Sequence, residues 1–320
     1  MDTSILDNLF SNYDKVDENM RSVTSTIVTA LNKSGLMFRI FSRVKGQQSV
    51  YEKISQKEQK YARIGRGMQD LIGIRIVLYF EEDIDICIRL LGELFVIDSC
   101  EHDEPDSETF KPIRINYVYR VPDELFDYSK CVKHNYLLDN TFEVQIRTVL
   151  SEGWHEVEHD IKYKNKPDWE DETEMARDLN AILAVLEMCD NNIVGICDNL
   201  AYNKYKKQDF SAMLRCRYRM RFLHGSLSQS INDVLLKNSD KISKKIFRFS
   251  KARLVQLFLK TGAELTLDNA IRLINLDSVH DEEIERLTNE QMIEAFHDLE
   301  DEPWDDSVKT YNSIVSMKFR

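Results

Sequence analysis

Two kinds of chemistry compete for the stretch FEVQIRTVLSEGWHEVEHDIKYK, residues 142–164. His155-Glu156-Val157-Glu158-His159 has the H-E-x-x-H spacing that sets two imidazoles on one helical face for zinc, with a glutamate as general base. A zinc protease needs a third ligand. No second histidine follows at H-x-x-G-x-x-H spacing, and Asp178 is the isolated acid left to supply one. Directly upstream, Glu143-Val144-Gln145-Ile146-Arg147-Thr148 suggests something different. As a strand it turns Phe142, Val144 and Ile146 one way and Glu143, Gln145 and Arg147 the other, which lines up a carboxylate, an amide and a guanidinium. The same test on residues 71–80 puts Ile72, Ile74, Ile76 and Leu78 on a core face and Gly73 and Arg75 opposite. Arg75 then needs a partner or an anion. Asp70 stands at the mouth of this strand, where it could meet Glu143 across the sheet and share a Mg²⁺ with phosphate oxygens. Upstream, RVKGQQSVYEKISQK concentrates Arg43, Lys45, Lys53 and Lys57 around a helix beginning near Gln47. Such a cluster could embrace a polyphosphate, although a charge run alone is ordinarily a solvated helix face.

These residues need a scaffold. Residues 1–40 carry apolar positions at helical spacing and stop at Gly35, a residue suited to a helix C-cap. DLIGIRIVLYF (70–80) is rich in β-branched residues and predicts a buried strand, and IDICIRLLGELF then sets Ile84, Cys87, Ile88, Leu91 and Phe95 on one helical face. PIRINYVYRV (112–121) and TFEVQIRT (141–148) predict two more strands. Leu150, Trp154, Val157 and Ile161 recur at helical spacing. The pattern breaks near Pro167-Asp168-Trp169, and almost everything beyond it reads as helix. The expected organisation is an N-terminal helical segment (1–40), an α/β domain (41–168) and a helical C-terminal region (169–320), in keeping with usual domain sizes.

Composition narrows the class. The chain has 320 residues, is 42% hydrophobic and carries a formal net charge of -12. That balance argues against indiscriminate DNA binding by the whole chain, while leaving room for a local basic face. Six cysteines lack any C-x-x-C pair and the N-terminus lacks the features of a signal peptide, so a reducing cytoplasm is expected. No window reaches the ~18 uninterrupted apolar residues of a membrane span.

Taken together, four blocks resemble the RelA/SpoT-type (p)ppGpp synthetases, in particular the small alarmone synthetases without a hydrolase domain. They are Arg43-Val44-Lys45 with Ser49-Val50-Tyr51-Glu52-Lys53, then Asp70-Leu71-Ile72-Gly73-Ile74-Arg75, then Glu143 to Thr148, and finally Trp154, Glu158, His159, Tyr163 and Lys164. The order of the blocks makes the resemblance specific. It implies a nucleotidyltransferase-like mixed sheet with flanking helices, and transfer of the β,γ-pyrophosphate of ATP to a nucleotide 3′-hydroxyl with release of AMP. It further implies Asp70 and Glu143 as Mg²⁺ ligands, Glu143 as proton acceptor, and Arg43, Lys45, Lys53 and Arg75 on the ATP phosphates, with Gln145, Arg147, His159 and Lys164 in support. The family helix commonly reads W-A-E-x-E-H, so His155 in place of alanine creates H-E-x-x-H by one difference. Val279-His280-Asp281 is similar to the His-Asp pair of the family's hydrolase domain, but the further ligands that domain needs are missing. Small members often form homo-oligomers.

One block departs from the family. Where G-Y-x-S-x-H would supply a tyrosine to stack on the acceptor purine, this chain has FKPIRINYVYRVPDELF, with Ile113 near the tyrosine position and Tyr117 near the histidine. Tyr117, Tyr119 and Tyr128 are substitute stacking candidates, and Arg114, Asn116 and Arg120 form a polar face able to read another acceptor. Three readings follow: a pyrophosphokinase acting on a purine nucleotide, an enzyme whose acceptor is the tRNA 3′ end, and a nucleotide-binding module without catalysis. The tRNA reading draws on residues 206–253, where basic residues including Lys206, Lys207, Arg215, Arg217, Arg219, Arg221, Lys241 and Arg253 face only Asp209, Asp233 and Asp240. As an extended segment, RCRYRMRF within it would present one all-arginine face. The same imbalance also suits a contact with the acidic segment 281–306.

Overall fold

Alternating apolar residues build a five-stranded mixed sheet of order β1-β2-β5-β4-β3. A computed structural model describes residues 6–102, 115–132, 134 and 136–299, without the side chains of 239–241. The elements begin with α1 (Asp7–Phe10), α2 (Tyr13–Ser34), β1 (Phe38–Val44), α3 (Gln47–Ile64), β2 (Ile72–Leu78), α4 (Asp83–Leu94) and β3 (Ile97–His102). They continue with β4 (Ile115–Arg120), β5 (Thr141–Thr148), α5 (Val149–Val157) and α6 (Thr173–Lys206). The fold class is thus α+β, a mixed sheet with flanking helices and a helical C-terminal region. The chain divides into two compact units, one of residues 1–28 and 38–187, the other of 29–37 and 188–320.

In the first unit β2 and β5 run parallel, with Ile72 opposite Phe142, Ile74 opposite Val144 and Ile76 opposite Ile146. All six are buried. Fully burying a side chain of this size contributes roughly 1.5–3 kcal/mol, so this double row fixes the register. A slip of one residue would turn it toward solvent and bury Glu143 and Arg75. Antiparallel β1 and β4 flank the pair, and the stacked rings of Tyr117, Tyr119 and Phe142 extend the core across β4. Two strands escape the sequence reading. β1 lies partly inside the segment read as helix, which does end at Ser34 with Gly35 at φ +72°. β3 is a polar edge strand, bulged between Ile97 and Ser99.

The second unit is helical among its described residues. It contains the C-terminal part of α6, then α7 (Phe210–Tyr218), α8 (Gln229–Lys237), α9 (Ser239–Arg248), α10 (Lys251–Thr261) and α11 (Leu267–Ile274), and ends in α12 (Glu282–Arg286) and α13 (Glu290–His297). RCRYRMRF is therefore not extended. Its first half closes α7, and Arg219 at φ 50° is the left-handed C-cap. The imbalance of charge is largely consumed inside the unit. Arg219 is buried and donates to Asp198 at 2.7 Å, Arg217 donates to the Phe247 carbonyl at 3.1 Å, and Arg253 holds Asp277 at 2.7 Å. Lys237 bonds Glu283 in the acidic segment itself. Asp281 accepts from the amides of Glu283 and Ile284, so the His280-Asp281 pair caps α12. Asp240 and Lys241 side chains, and the acidic residues beyond 299, lie outside the described residues.

Among the glycines the backbone is approached most closely at Gly67, whose amide donates to Asp139 at 2.8 Å beside the isolated bridge between Met68 and Leu138. A Cβ there would stand 2.2 Å from the Leu138 nitrogen. Gly92, near the end of α4, has nothing within 4 Å of the same position. Gly67→Ala is expected to lower unfolding stability by about 2–4 kcal/mol through the forced backbone shift, whereas Gly92→Ala adds up to ~1 kcal/mol. Denaturant unfolding of both variants checks this. Equal behaviour would show that the Gly67 approach does not constrain the fold.

Candidate active site

The face of the sheet opposite the core carries the expected groups in rows set by strand register. Arg43 of β1 lies opposite Gly73 of β2, which lies opposite Glu143 of β5. One row along, Phe41, Arg75, Gln145 and Asn116 follow one another. The glycine keeps the first row open, since a Cβ at Gly73 would meet nothing nearer than the Arg43 Cγ at 4.0 Å.

Asp70, two residues ahead of β2, is where positive charge converges. Its Oδ2 accepts from Lys53 Nζ at 2.7 Å and lies 3.2 Å from Lys45 Nζ. Its Oδ1 is buried and has no hydrogen-bond partner. Burial pushes the Asp70 pKa up, but Lys53 and then Lys45 outweigh it and hold the carboxyl below the ordinary value. Glu143 moves the other way. Burial raises its pKa, the negative charge of Asp70 adds to the rise, and Lys53, Gln145 and Lys45 offset only part of it. Lys57 on α3 is lowered by partial burial and by repulsion from Lys53 and Lys60, the signature of a concentrated positive field. α3 itself begins at Gly46 without a side-chain cap or an acid in its first turn, so its N-terminal amides add to that field.

A second network backs the first. Gln145 donates to Glu143 at 3.3 Å and accepts from Arg75 and Arg147, each at 3.4 Å. Glu152 of α5 accepts from Arg75 at 2.5 Å and from Arg147 at 2.8 Å, and Glu156 also bonds Arg75. The anion that Arg75 needs is thus supplied by two carboxylates of α5. Thr148 caps that helix by accepting from the Ser151 amide, which fixes where Glu152 and Glu156 point.

Of the ten expected site residues, Asp70, Glu143, Lys45 and Lys53 come together, Arg43 shares their row, and Arg75, Gln145 and Arg147 form the adjoining network. His159 and Lys164 do not join them. Both bond Asp160, at 3.0 and 2.6 Å, in the π-helical turn Glu158–Tyr163, and the His159 ring stacks on Tyr163. The same turn dissolves the zinc pattern. His155 is buried against Trp154 while His159 is 52% exposed, and no described group of three or more potential ligands could hold a metal. The substitute stacking tyrosines fail for a simple reason: Tyr117, Tyr119 and Tyr128 are all fully buried. Tyr117 and Tyr119 belong to the core stack, and the Tyr128 hydroxyl donates to the Thr141 carbonyl. Ile113 and Arg114 lie outside the described residues, and Arg120 lines an open polar pocket with Arg66, Asp98 and Asp139. Sequence reasoning misses Phe41, which is 56% exposed on the functional face, because β1 is not recognised as a strand. It also misses the part played by Glu152 and Glu156, whose i, i+4 spacing along α5 is the available signal.

Several solved structures match part of this chain. The small alarmone synthetase 2 of Bacillus subtilis shares 22% identity at a TM-score of 0.45, over 59% of this chain and 95% of that one. The small alarmone synthetase 1 of the same organism shares 21% at 0.42, over 60% and 93%. A GTP pyrophosphokinase family protein of Streptococcus pneumoniae shares 20% at 0.41, over 61% and 91%. No curated protein matches. The family described as the region found in RelA / SpoT proteins matches residues 42–168, the span from β1 through α5 that holds every group of the two networks. Residues 42–168 of this chain are thus similar to the RelA / SpoT region.

Proposed function

We propose that the first unit is an ATP-dependent pyrophosphokinase that transfers the β,γ-pyrophosphate of ATP to the 3′-hydroxyl of a purine nucleotide. One observation carries the reading. Two neighbouring carboxylates, Asp70 and Glu143, have pKa values displaced in opposite directions beside two lysines, and a buried Asp70 oxygen lacks a partner. A lone oxygen next to a second carboxylate suits a hard divalent cation whose remaining ligands are phosphate oxygens. Asp70 and Glu143 would hold Mg²⁺, which when bound neutralises charge on the transferred group.

The protein's own groups account for the rest. Lys45, Lys53 and the N-terminal amides of α3 hold the triphosphate, and Arg43 reaches it across Gly73. The acceptor oxygen attacks the β-phosphorus, the bond from that phosphorus to the α-phosphate oxygen breaks, and AMP leaves. Glu143 would take the hydroxyl proton. Gln145 fixes the Glu143 carboxylate by donating to it. Arg75, clamped by Glu152 and Glu156, presents its guanidinium beside the exposed Phe41 ring as a wall for a nucleobase. A reducing cytoplasm is consistent with six free cysteines.

An RNA acceptor is the weaker reading, since Arg217, Arg219, Lys237 and Arg253 are already engaged within the second unit. Intact Asp70 and Glu143 argue against a module without catalysis.

Three measurements test the proposal. With γ-³²P-ATP and Mg²⁺, and GDP, GTP, ADP, ATP or bulk tRNA offered separately, label is expected on a nucleotide, with transfer at least ~10³-fold slower in Glu143→Gln. Absence of transfer to every acceptor, or transfer unchanged in the variant, would sink it; label on tRNA alone would select the RNA reading. The raised Glu143 pKa also makes a stability statement. A folded pKa above the unfolded one means that the proton favours folding, so the contribution is present below the unfolded pKa and lost as pH rises through the folded one. At pH 7 Glu143→Gln should therefore raise Tm by about 2–4 °C, with the gain vanishing below pH ~4; an unchanged or lower Tm at pH 7 would contradict the assigned burial. Phe41→Ala should raise the KM for ATP about 10-fold with kcat little changed, the size of one lost base stack. A fall in kcat alone would remove Phe41 from the binding wall.

A further inference from the structure

Lys45 and Gly46 are the whole of the connection between β1 and α3. So short a link between a strand and a helix has little slack, and the peptide at Lys45 sets two things together. One is where the Lys45 ammonium stands against Asp70, 3.2 Å away. The other is where the first amides of α3 point. Gly46 brings no side chain to cap that helix, so the junction is held from outside. Both polar groups of Lys45's backbone are engaged. The amide donates to the Leu71 carbonyl at 2.8 Å, next to the last pair of the β1–β2 ladder, Val44 and Ile72. The carbonyl accepts from the Tyr13 hydroxyl at 3.2 Å. Tyr13 opens α2 and lies outside residues 42–168, the span that matches the family.

Tyr13 is itself well anchored. Its ring meets Phe10 edge-on at 5.5 Å, and Val16 and Val23 of α2 are buried. Further along the helix, Asn19 donates to the Phe126 carbonyl at 2.7 Å and accepts from the Phe126 amide at 3.2 Å. Lys15 stands 4.9 Å over the Phe126 ring. Burial pushes the Tyr13 pKa up to about 12, so the hydroxyl keeps its proton and remains a donor well above neutral pH.

We propose that Tyr13 is a positioning residue for the triphosphate of ATP: by holding the Lys45 carbonyl it fixes Lys45 and the N-terminus of α3 as one grip. The N-terminal helices thereby become part of the nucleotide site. The inference rests on the pyrophosphokinase reading, which supplies the triphosphate. Tyr13 acts through Lys45. Without the hydroxyl the peptide at Lys45 is free to turn, and a turn there displaces the ammonium and the helix amides together. The loss falls on phosphate binding, because Glu143 stands on β5, two strands away from β1.

The test uses the full chain, with Mg²⁺ and α,β-methylene-ATP, an analogue whose pyrophosphate cannot be transferred. Titration calorimetry compares the unaltered protein with Tyr13→Phe, Lys45→Met and the double variant. Tyr13→Phe should bind the analogue about 5-fold more weakly, the size of one hydrogen bond of this kind. In the Lys45→Met background the same change should cost no more than about twofold, since two residues acting through one contact are not additive. In the transfer assay Tyr13→Phe should raise the KM for ATP by the same factor and leave kcat within about twofold. Tyr13→Phe binding as tightly as the unaltered protein overturns the inference and leaves the pyrophosphokinase reading standing. Losses that multiply in the double variant also overturn it, because general damage to the fold would add to the Lys45 loss. So does a fall in kcat at unchanged KM. Failure of the unaltered protein to bind the analogue removes the pyrophosphokinase reading and this inference together.

Discussion

Everything in the first unit hangs on the parallel pairing of β2 with β5. Parallel neighbours enter from the same end, so the residues ahead of one strand stand beside the first residues of the other. That arrangement brings Asp70, two residues before β2, next to Glu143, third in β5, across about 70 positions of sequence. No turn or local motif could join them. The register is held by six buried apolar side chains on the reverse face, and a one-residue slip would bury a carboxylate and a guanidinium. The core thus specifies the site by what it excludes.

The two carboxylates are not equivalent, and the difference is electrostatic. Both suffer burial, which favours the protonated form. Asp70 sits within hydrogen-bond reach of Lys53 and close to Lys45, so its charge is held; Glu143 feels the same lysines more weakly and Asp70 as a like charge. A fixed anion beside a carboxylate inclined to accept a proton is the division of labour that proton abstraction next to a polyphosphate needs. It arises here from distances to the same two lysines, with no further titratable group required.

How much of this is legible in the sequence depends on how strongly burial writes itself into residue type. β5 can be read with its observed bounds, Thr141–Thr148, because its residues alternate apolar and polar from Phe142 to Arg147, with burial to match. β2 and the start of α3 at Gln47 are equally plain. β1 is hidden because Phe41 interrupts the alternation on its solvent side, and an apolar residue on an exposed face is what a binding wall requires and what periodicity misreads. β3 is hidden because an edge strand with a bulge need bury little. The tyrosines of β4 show the opposite failure. Aromatic residues near a nucleotide site invite a stacking role, yet alternate positions 117 and 119 sit beside a bulge-edged β3 and a Phe142-lined β5, and the core claims both rings.

Charge teaches the same lesson at two scales. A net charge of -12 conceals a local cluster of positive charge: the pKa of Lys57 is lowered by burial and, after it, by repulsion from Lys53 and Lys60, with Asp70 offsetting part of the effect. The longer basic run of residues 206–253 looks like the stronger field, yet several of its charges are paired. Its arginines meet Asp198 and Asp277, acids drawn from outside the run, and backbone carbonyls that a linear count of charges never includes. What separates the two is whether counter-charges arrive from elsewhere in the fold. In the first unit the fold brings Glu143 instead, a second carboxylate whose pKa is raised by burial and by the negative charge of Asp70.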